Sequence, residues 1–124
     1  MVKILIVSDH PVIKQMLKMQ IELETGLCVI GEMDRAYSPR VDLVCGSTPD
    51  IVIIDLDLQN RDGIEATRQM HAAMPEIPII VLSMNGNELT RQRAHNSGAA
   101  AFVTKQANTH ELVNTIRDLV HSES

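Results

Sequence analysis

Two carboxylates follow an apolar run in the middle of the chain. The stretch IVIID carries four β-branched residues directly into Asp55, and Asp57 follows two positions later. An unpaired charge is costly to bury, so acids in such a place are usually solvated, paired or bound to a metal. Side chains at positions i and i+2 of extended backbone project to the same side. Both carboxylates could therefore act on one ligand.

Polar side chains also follow three other apolar runs. Ser8 and Asp9 come after VKILIV, Ser83 ends IPIIVLS, and Lys105 comes after AAAFVT. Clustered oxygen ligands suit Mg²⁺, which prefers a few carboxylates together with water and phosphate oxygens. A carboxylate is also a nucleophile that forms an aspartyl phosphate, and an amine and a hydroxyl could hold the other phosphoryl oxygens.

The apolar pattern predicts elements that would bring these residues together. It indicates strands at 2–7, 27–33, 51–55, 77–83 and 99–104. It indicates helices at 11–24, 38–45 and 63–73, a fourth helix that follows the turn at 85–88 and ends near 96, and a fifth that begins near 109. Regular alternation favours a parallel sheet with helices on both faces. In such sheets ligands bind beyond the carboxyl ends of the strands, where the polar residues fall.

Bulk composition excludes several classes. The 124 residues predict one domain, and a net charge of −5 argues against nonspecific binding to nucleic acid or an anionic membrane. Two cysteines without a CxxC motif suggest reduced thiols in a cytosolic protein. No apolar run approaches the roughly 20 residues of a membrane helix. With Tyr37 and Phe102 as the only aromatic residues, base-stacking RNA modules are disfavoured.

Taken one at a time, these residues have simpler interpretations. Asp55 could be an exposed loop acid, Lys105 a solvated lysine and Ser83 a turn cap. Their joint arrival at the ends of different strands favours a site. The histidines lack metal-ligand spacing, and we expect solvated positions for all five: His10, His71, His95, His110 and His121.

Four blocks, in order and spacing, carry a family resemblance. ILIVSDHPV, IVIIDLDLQNRDGIEATRQM, IIVLSMNGNEL and GAAAFVTKQA resemble the receiver domain of two-component response regulators. DHPV, IGE and DGIEATR are most similar to the NarL/FixJ, or LuxR-type, class. The resemblance implies a flavodoxin-like fold with strand order 2-1-3-4-5 and a cytoplasmic signalling protein. It also implies that 1–124 is one receiver domain, with no output domain in this chain.

The resemblance implies a magnesium site and a phosphoacceptor. Asp55 matches the phosphoacceptor, Asp9 the acid that ligates Mg²⁺ directly, and Asp57 the position whose backbone carbonyl is the third protein ligand. Ser8 replaces a second acid that reaches the metal through water, which should weaken binding. The Asp57 carboxylate could partly restore that charge. Gln59 replaces a proline, which favours a more mobile loop.

The resemblance also implies a switch and its partners. Ser83 matches the hydroxyl that turns to meet the phosphoryl group, Lys105 the lysine that pairs with it, and Phe102 the aromatic residue that changes rotamer. A histidine kinase would be the donor. The surface of the fourth helix, fifth strand and fifth helix would control dimerisation or an output domain. DNA would be contacted only through a helix-turn-helix domain, and a homodimer could also form through the first and fifth helices, where Met19 and Leu23 are candidate contacts.

Two other functions stay open at this point. A degenerate receiver could act as an interaction module without phosphate, an idea that the serine at position 8 keeps open. The DxD of IIDLD also resembles haloacid dehalogenase-type phosphatases, in which the first Asp is a nucleophile and the second a general acid. Those proteins usually carry DxD on their first strand. We therefore expect no enzyme beyond a domain that catalyses its own phosphoryl transfer and dephosphorylation.

Overall fold

The computed structural model describes residues 1–33, 48–57, 63–105 and 109–121. Within these ranges strands alternate with helices along the chain. The strands are β1 (Val2–Val7), β2 (Leu27–Met33), β3 (Ile51–Asp55), β4 (Ile79–Ser83) and β5 (Ala101–Thr104). The helices are α1 (Pro11–Glu22), α2 (Gly63–Ala73), α3 (Glu88–Asn96) and α4 (Thr109–His121). The helix predicted at 38–45 lies outside the described residues, so α3 and α4 correspond to the fourth and fifth predicted helices.

All five strands pair in parallel in one sheet of order β2-β1-β3-β4-β5, which confirms the predicted topology. The order reverses direction between β1 and β3, and open sheets of this type bind ligands at such a reversal. Registers align the carboxyl ends: Val7 pairs with Ile54, and Asp55 pairs with Leu82. Residues just beyond the carboxyl ends of these strands therefore meet at one edge of the sheet, called the carboxyl edge below.

Both faces of the sheet are apolar, and β1, β3, β4 and β5 each contribute to both. All five residues of β3 are buried, with Ile51 and Ile53 on one face and Val52 and Ile54 on the other. The first face packs against α1 and α4, and the second against α2 and α3. This arrangement explains why the strand sequences are continuous apolar runs. Of the helices that the structure describes, none has the length and apolar character to cross a membrane.

Two strands begin later than predicted because the preceding helices end in hydrogen-bonded turns. β4 begins at Ile79 rather than 77, because the Ile77 N–H donates to the Met74 carbonyl. β5 begins at Ala101 rather than 99, because the Ala99 N–H donates back to the Ala94 carbonyl. The first helix ends at Glu22, two residues early. Apolar periodicity alone does not register such turns.

His71 is a correction to the prediction that all histidines are solvated. It is half-buried, and its ring packs against Gly98, whose φ is +115°. A Cβ at Gly98 would lie 2.5 Å from the His71 Cγ. The turn from α3 into β5 therefore needs glycine twice, for its backbone conformation and for the space that the ring occupies.

We expect Gly98→Ala to lower the free energy of unfolding by about 2 to 4 kcal/mol, the sum of backbone strain and overpacking. Adding His71→Ala to Gly98→Ala should remove the clash with the ring, so urea denaturation should show that the second substitution restores the part of the unfolding free energy lost to overpacking. Gly26→Ala is the matched control, since Gly26 has a φ of +88° and nothing within 4 Å of its Cβ position. Its cost should be backbone strain alone, about 1 to 2 kcal/mol. Simple additivity of Gly98→Ala and His71→Ala would contradict the packing argument.

Candidate functional site

Asp55, the last residue of β3, is the most deeply buried acid that the structure describes, at 1% exposure. Its carboxylate accepts hydrogen bonds from the Ser8 hydroxyl at 3.1 Å and the Asp57 N–H at 2.9 Å. The Lys105 ammonium lies 2.6 Å from Asp55 Oδ1. The cost of burying this charge is therefore offset by an ion pair and two hydrogen bonds.

Lys105 bridges both predicted acids. Its Nζ lies 2.6 Å from Asp55 and 3.1 Å from Asp57, and its side chain is 14% exposed. The Lys105 N–H donates to the Ser83 carbonyl at 2.9 Å, which fixes the start of the side chain beside β4. The interpretation as a solvated lysine is wrong. The prediction that Asp55 and Asp57 project to the same side is confirmed.

Asp57 binds the end of β4. Its carboxylate accepts from the Ser83 hydroxyl at 3.2 Å and from the Met84 N–H at 2.9 Å, besides its pairing with Lys105. Burial raises the pKa of Asp57, but the Met84 N–H, Lys105 and Ser83 together lower it below its usual value of 3.8. These contacts therefore favour the charged form of the carboxylate.

Ser8 is fully buried beyond the end of β1. Its hydroxyl donates to Asp55 Oδ2 and accepts the His10 N–H at 3.1 Å. It therefore contributes a hydrogen bond to Asp55 where an acid would contribute charge. Asp9 follows, half-buried, and α1 begins two residues later at Pro11. This short connection holds Asp9 close to the carboxyl edge.

His10 makes a contact at this edge that was not predicted from the sequence. It is half-buried, so its predicted solvated position is wrong. Its Nε2 lies 3.0 Å from the backbone carbonyl of Asp57, the atom predicted to ligate the metal. A carbonyl accepts hydrogen bonds, so Nε2 must carry the proton. The only signal in the sequence was its position directly after Asp9 at the carboxyl edge.

The donor chemistry at this edge fits a hard cation in part. Two carboxylates, of Asp9 and Asp55, and the Asp57 carbonyl are oxygen ligands of the kind that Mg²⁺ takes. Across the described ranges, no group of three or more His, Cys, Asp or Glu side chains is placed to hold a metal. Mg²⁺ usually keeps waters and shares phosphate oxygens rather than sitting in an all-protein cage. The residues therefore suit a metal bound together with a phosphoryl donor.

Phe102 lies on β5, packs against the core on the α2 and α3 face of the sheet and is half-buried. The Arg91 guanidinium of α3 lies 4.7 Å from the centre of its ring, a cation–π contact. Arg91 Nε also donates to the Gly86 carbonyl at 2.8 Å. This arginine therefore joins the loop after β4 to the aromatic residue.

Comparison with known protein families agrees with this geometry. The model of the response regulator receiver domain matches residues 4–117. BvgA of Bordetella pertussis, named as a transcription regulator of virulence factors, is 32% identical over 115 residues, which are 93% of this chain and 54% of BvgA. The response regulator GacA of Pseudomonas aeruginosa is 29% identical over 119 residues, 96% of this chain and 55% of GacA. The chain thus spans about half the length of these curated relatives.

Solved structures give the same result for the fold. A LuxR-family two-component response regulator from Aurantimonas sp. SI85-9A1 superposes with a TM-score of 0.85 at 31% identity, covering 97% of this chain and 85% of that one. The response regulator domain of Thermotoga maritima CheB has a TM-score of 0.79 at 22% identity over 97% and 96% of the two chains, a likeness of fold alone. The family resemblance of the four sequence blocks is confirmed: this chain belongs to the response regulator receiver domain family.

Proposed function

We propose that the chain is a phosphorylation-dependent signalling switch in which Asp55 accepts a phosphoryl group from a histidine kinase, with Mg²⁺. The observation that carries this proposal is the pairing of the buried Asp55 carboxylate with Lys105 at 2.6 Å, at the carboxyl edge of the sheet. Lys105, the Ser8 hydroxyl and the Asp57 N–H orient this carboxylate at the edge where a phosphoryl donor would approach.

In the proposed transfer an Asp55 oxygen gives an electron pair to phosphorus and forms the O–P bond of an acyl phosphate. The P–N bond of the phosphohistidine donor breaks, and its electron pair stays on the imidazole nitrogen. Lys105 neutralises charge on the phosphoryl oxygens, and the Ser83 hydroxyl donates to them. Mg²⁺, held by Asp9, Asp55 and the Asp57 carbonyl, would supply further positive charge to the same oxygens.

The proposed output is a population shift of the loop after β4 and of the surface formed by α3, β5 and α4. Arg91 supports this route, since it contacts both the Gly86 carbonyl and the Phe102 ring. The partner of that surface would be a second copy of the chain or an output domain. BvgA is named as a transcription regulator, so we propose control of DNA through such a domain.

A second dimer surface is proposed on α1. Four large apolar side chains of α1 and its C-terminal cap are exposed: Val12, Met16, Met19 and Leu23. Their spacing of four, three and four residues gives one continuous stripe, the pattern of a helix–helix seam. This agrees with the prediction that Met19 and Leu23 lie outside the core, and the dimer itself stays a prediction.

Phosphorylation is tested by intact mass after incubation with acetyl phosphate and Mg²⁺. We expect the gain of one phosphoryl group, and no gain in Asp55→Asn, because the amide is not a nucleophile. Asp50→Asn is the matched control, since Asp50 is an exposed acid directly before β3 and should leave the gain intact. A folded wild-type protein without any gain would contradict the proposal and favour a phosphate-independent interaction module.

Ser8→Asp should tighten Mg²⁺ binding by about tenfold, because it restores a negative charge beside Asp55 at a low-dielectric position. Isothermal titration of the metal-free protein measures the affinity. Ser8→Asn is the control, because asparagine has the size of aspartate without its charge, and it should not tighten Mg²⁺ binding. The same titration on Asp57→Ser tests whether the Asp57 charge compensates for the missing acid, in which case affinity falls. Equal affinities for Ser8→Asp and wild type would refute the charge argument.

The pH dependence of stability should report on Asp57. Its folded pKa lies below 3.8, so it stabilises the fold above the unfolded pKa, and that contribution is lost as pH falls below 3.8 through the folded pKa. Urea denaturation in EDTA should therefore show a steeper loss of stability between about pH 5 and pH 3 in wild type than in Asp57→Asn. Glu88→Gln, at an exposed acid, should keep the wild-type slope. Identical slopes for Asp57→Asn and wild type would count against this reading.

A further inference from the structure

Three different donors converge on the side chain of Asp57. They are the Ser83 hydroxyl at 3.2 Å, the Met84 N–H at 2.9 Å and the Lys105 ammonium at 3.1 Å. The first two come from the end of β4, and the third from the end of β5. A hydroxyl, a backbone N–H and an ammonium around one anion form the kind of donor set that holds phosphoryl oxygens.

Ser83 and Lys105 are the groups that the proposed function gives to a phosphoryl group on Asp55, and the Met84 N–H lies beside Ser83. Lys105 already contacts Asp55 at 2.6 Å, and Ser83 lies on the strand paired with β3. A hydroxyl and a backbone amide each have a single hydrogen to donate. The Ser83 hydroxyl and the Met84 N–H can therefore each make a full hydrogen bond to Asp57 or to a phosphoryl oxygen, but not to both at once.

We propose that the Asp57 carboxylate is an internal stand-in for the phosphoryl group. It occupies the phosphoryl donors while Asp55 is unmodified, and it has to leave them when Asp55 is phosphorylated. The inference rests on the proposed function, since it names what the incoming group competes with. It assigns Asp57 a positioning role, through Ser83, Met84 and Lys105, beyond the role of its backbone carbonyl.

The Asp57 contacts also anchor the loop that leads into α3. The Ser83 hydroxyl accepts the Asn85 N–H at 3.1 Å, and Asn85 Oδ1 accepts the Asn87 N–H at 3.1 Å. Asn87 in turn caps α3, because its side chain accepts the Thr90 N–H at 2.8 Å. One continuous series of hydrogen bonds therefore runs from Asp57 to the first turn of α3. Loss of the Asp57 carboxylate should release the start of this series.

The competition predicts that removing the carboxylate improves binding of a phosphoryl analogue. Beryllofluoride, the analogue present in the BeF3-activated DrrB receiver domain, is the probe, titrated at saturating Mg²⁺. We expect Asp57→Ala to bind it about tenfold or more tightly than wild type, since a competing charge is removed from the donors. Asp57→Asn, which keeps the shape of the side chain, should gain in the same direction and guards against a folding defect in the alanine variant.

The second readout uses no ligand. Amide hydrogen exchange in the unmodified protein should be faster at Met84, Asn85 and Asn87 in Asp57→Ala than in wild type, because these N–H groups lose their anchor. Glu88→Gln is the matched control, since it removes one exposed charge at the start of α3 and touches none of the three donors. It should change neither the affinity nor the exchange rates.

The outcomes separate this inference from the proposed function. Equal beryllofluoride affinities in wild type, Asp57→Ala and Asp57→Asn, with binding abolished in Asp55→Asn, would overturn the stand-in role and leave the switch intact. An equal gain in Glu88→Gln, or unchanged exchange at Met84 in Asp57→Ala, would also overturn it. No binding to any folded variant would overturn the proposed function and the inference together.

Discussion

The ion pair between Asp55 and Lys105 is the interaction on which the carboxyl edge depends. Asp55 is 1% exposed, and a buried carboxylate without a partner would cost several kcal/mol. Its partners come from the ends of other strands: Lys105 after β5 and Ser8 after β1. Within the described residues, every buried side-chain nitrogen or oxygen has a hydrogen-bond partner. The edge is therefore a closed polar network placed on an apolar sheet.

This requirement explains the strand order. Asp55 ends a strand whose residues are all buried, so β3 has to be central and its neighbours have to supply the polar groups. Parallel pairing aligns the carboxyl ends, and the reversal between β1 and β3 leaves a crevice there for a ligand. An antiparallel neighbour would end at the opposite edge and could not bring Ser83 or Lys105 to Asp55.

The fold was predictable from the sequence, and so was the meeting of Ser8, Asp55, Asp57, Ser83 and Lys105 at one edge of the sheet. Continuous apolar runs identify doubly covered strands, and the residues after them must meet at one edge. Hydrogen-bond partners within the cluster were not predictable. His10 and Asp57 carry no pattern that distinguishes a contact with a backbone carbonyl, or with Met84, from exposure to solvent. Such choices depend on differences of a few tenths of an ångström, set by packing that periodicity does not encode.

The position of the Asp57 charge among the acids of the carboxyl edge distinguishes this site from one with an acid at position 8. The three acids and one lysine of this edge, Asp9, Asp55, Asp57 and Lys105, sum to −3 + 1 = −2 in formal charge, which one divalent cation would neutralise. An acid at position 8 in place of one at position 57 would give the same sum with the charge on the metal side of Asp55. Here the charge sits among the Ser83, Met84 and Lys105 donors instead. The total that attracts a cation is kept, while the place that a phosphoryl group would enter is already filled by an anion.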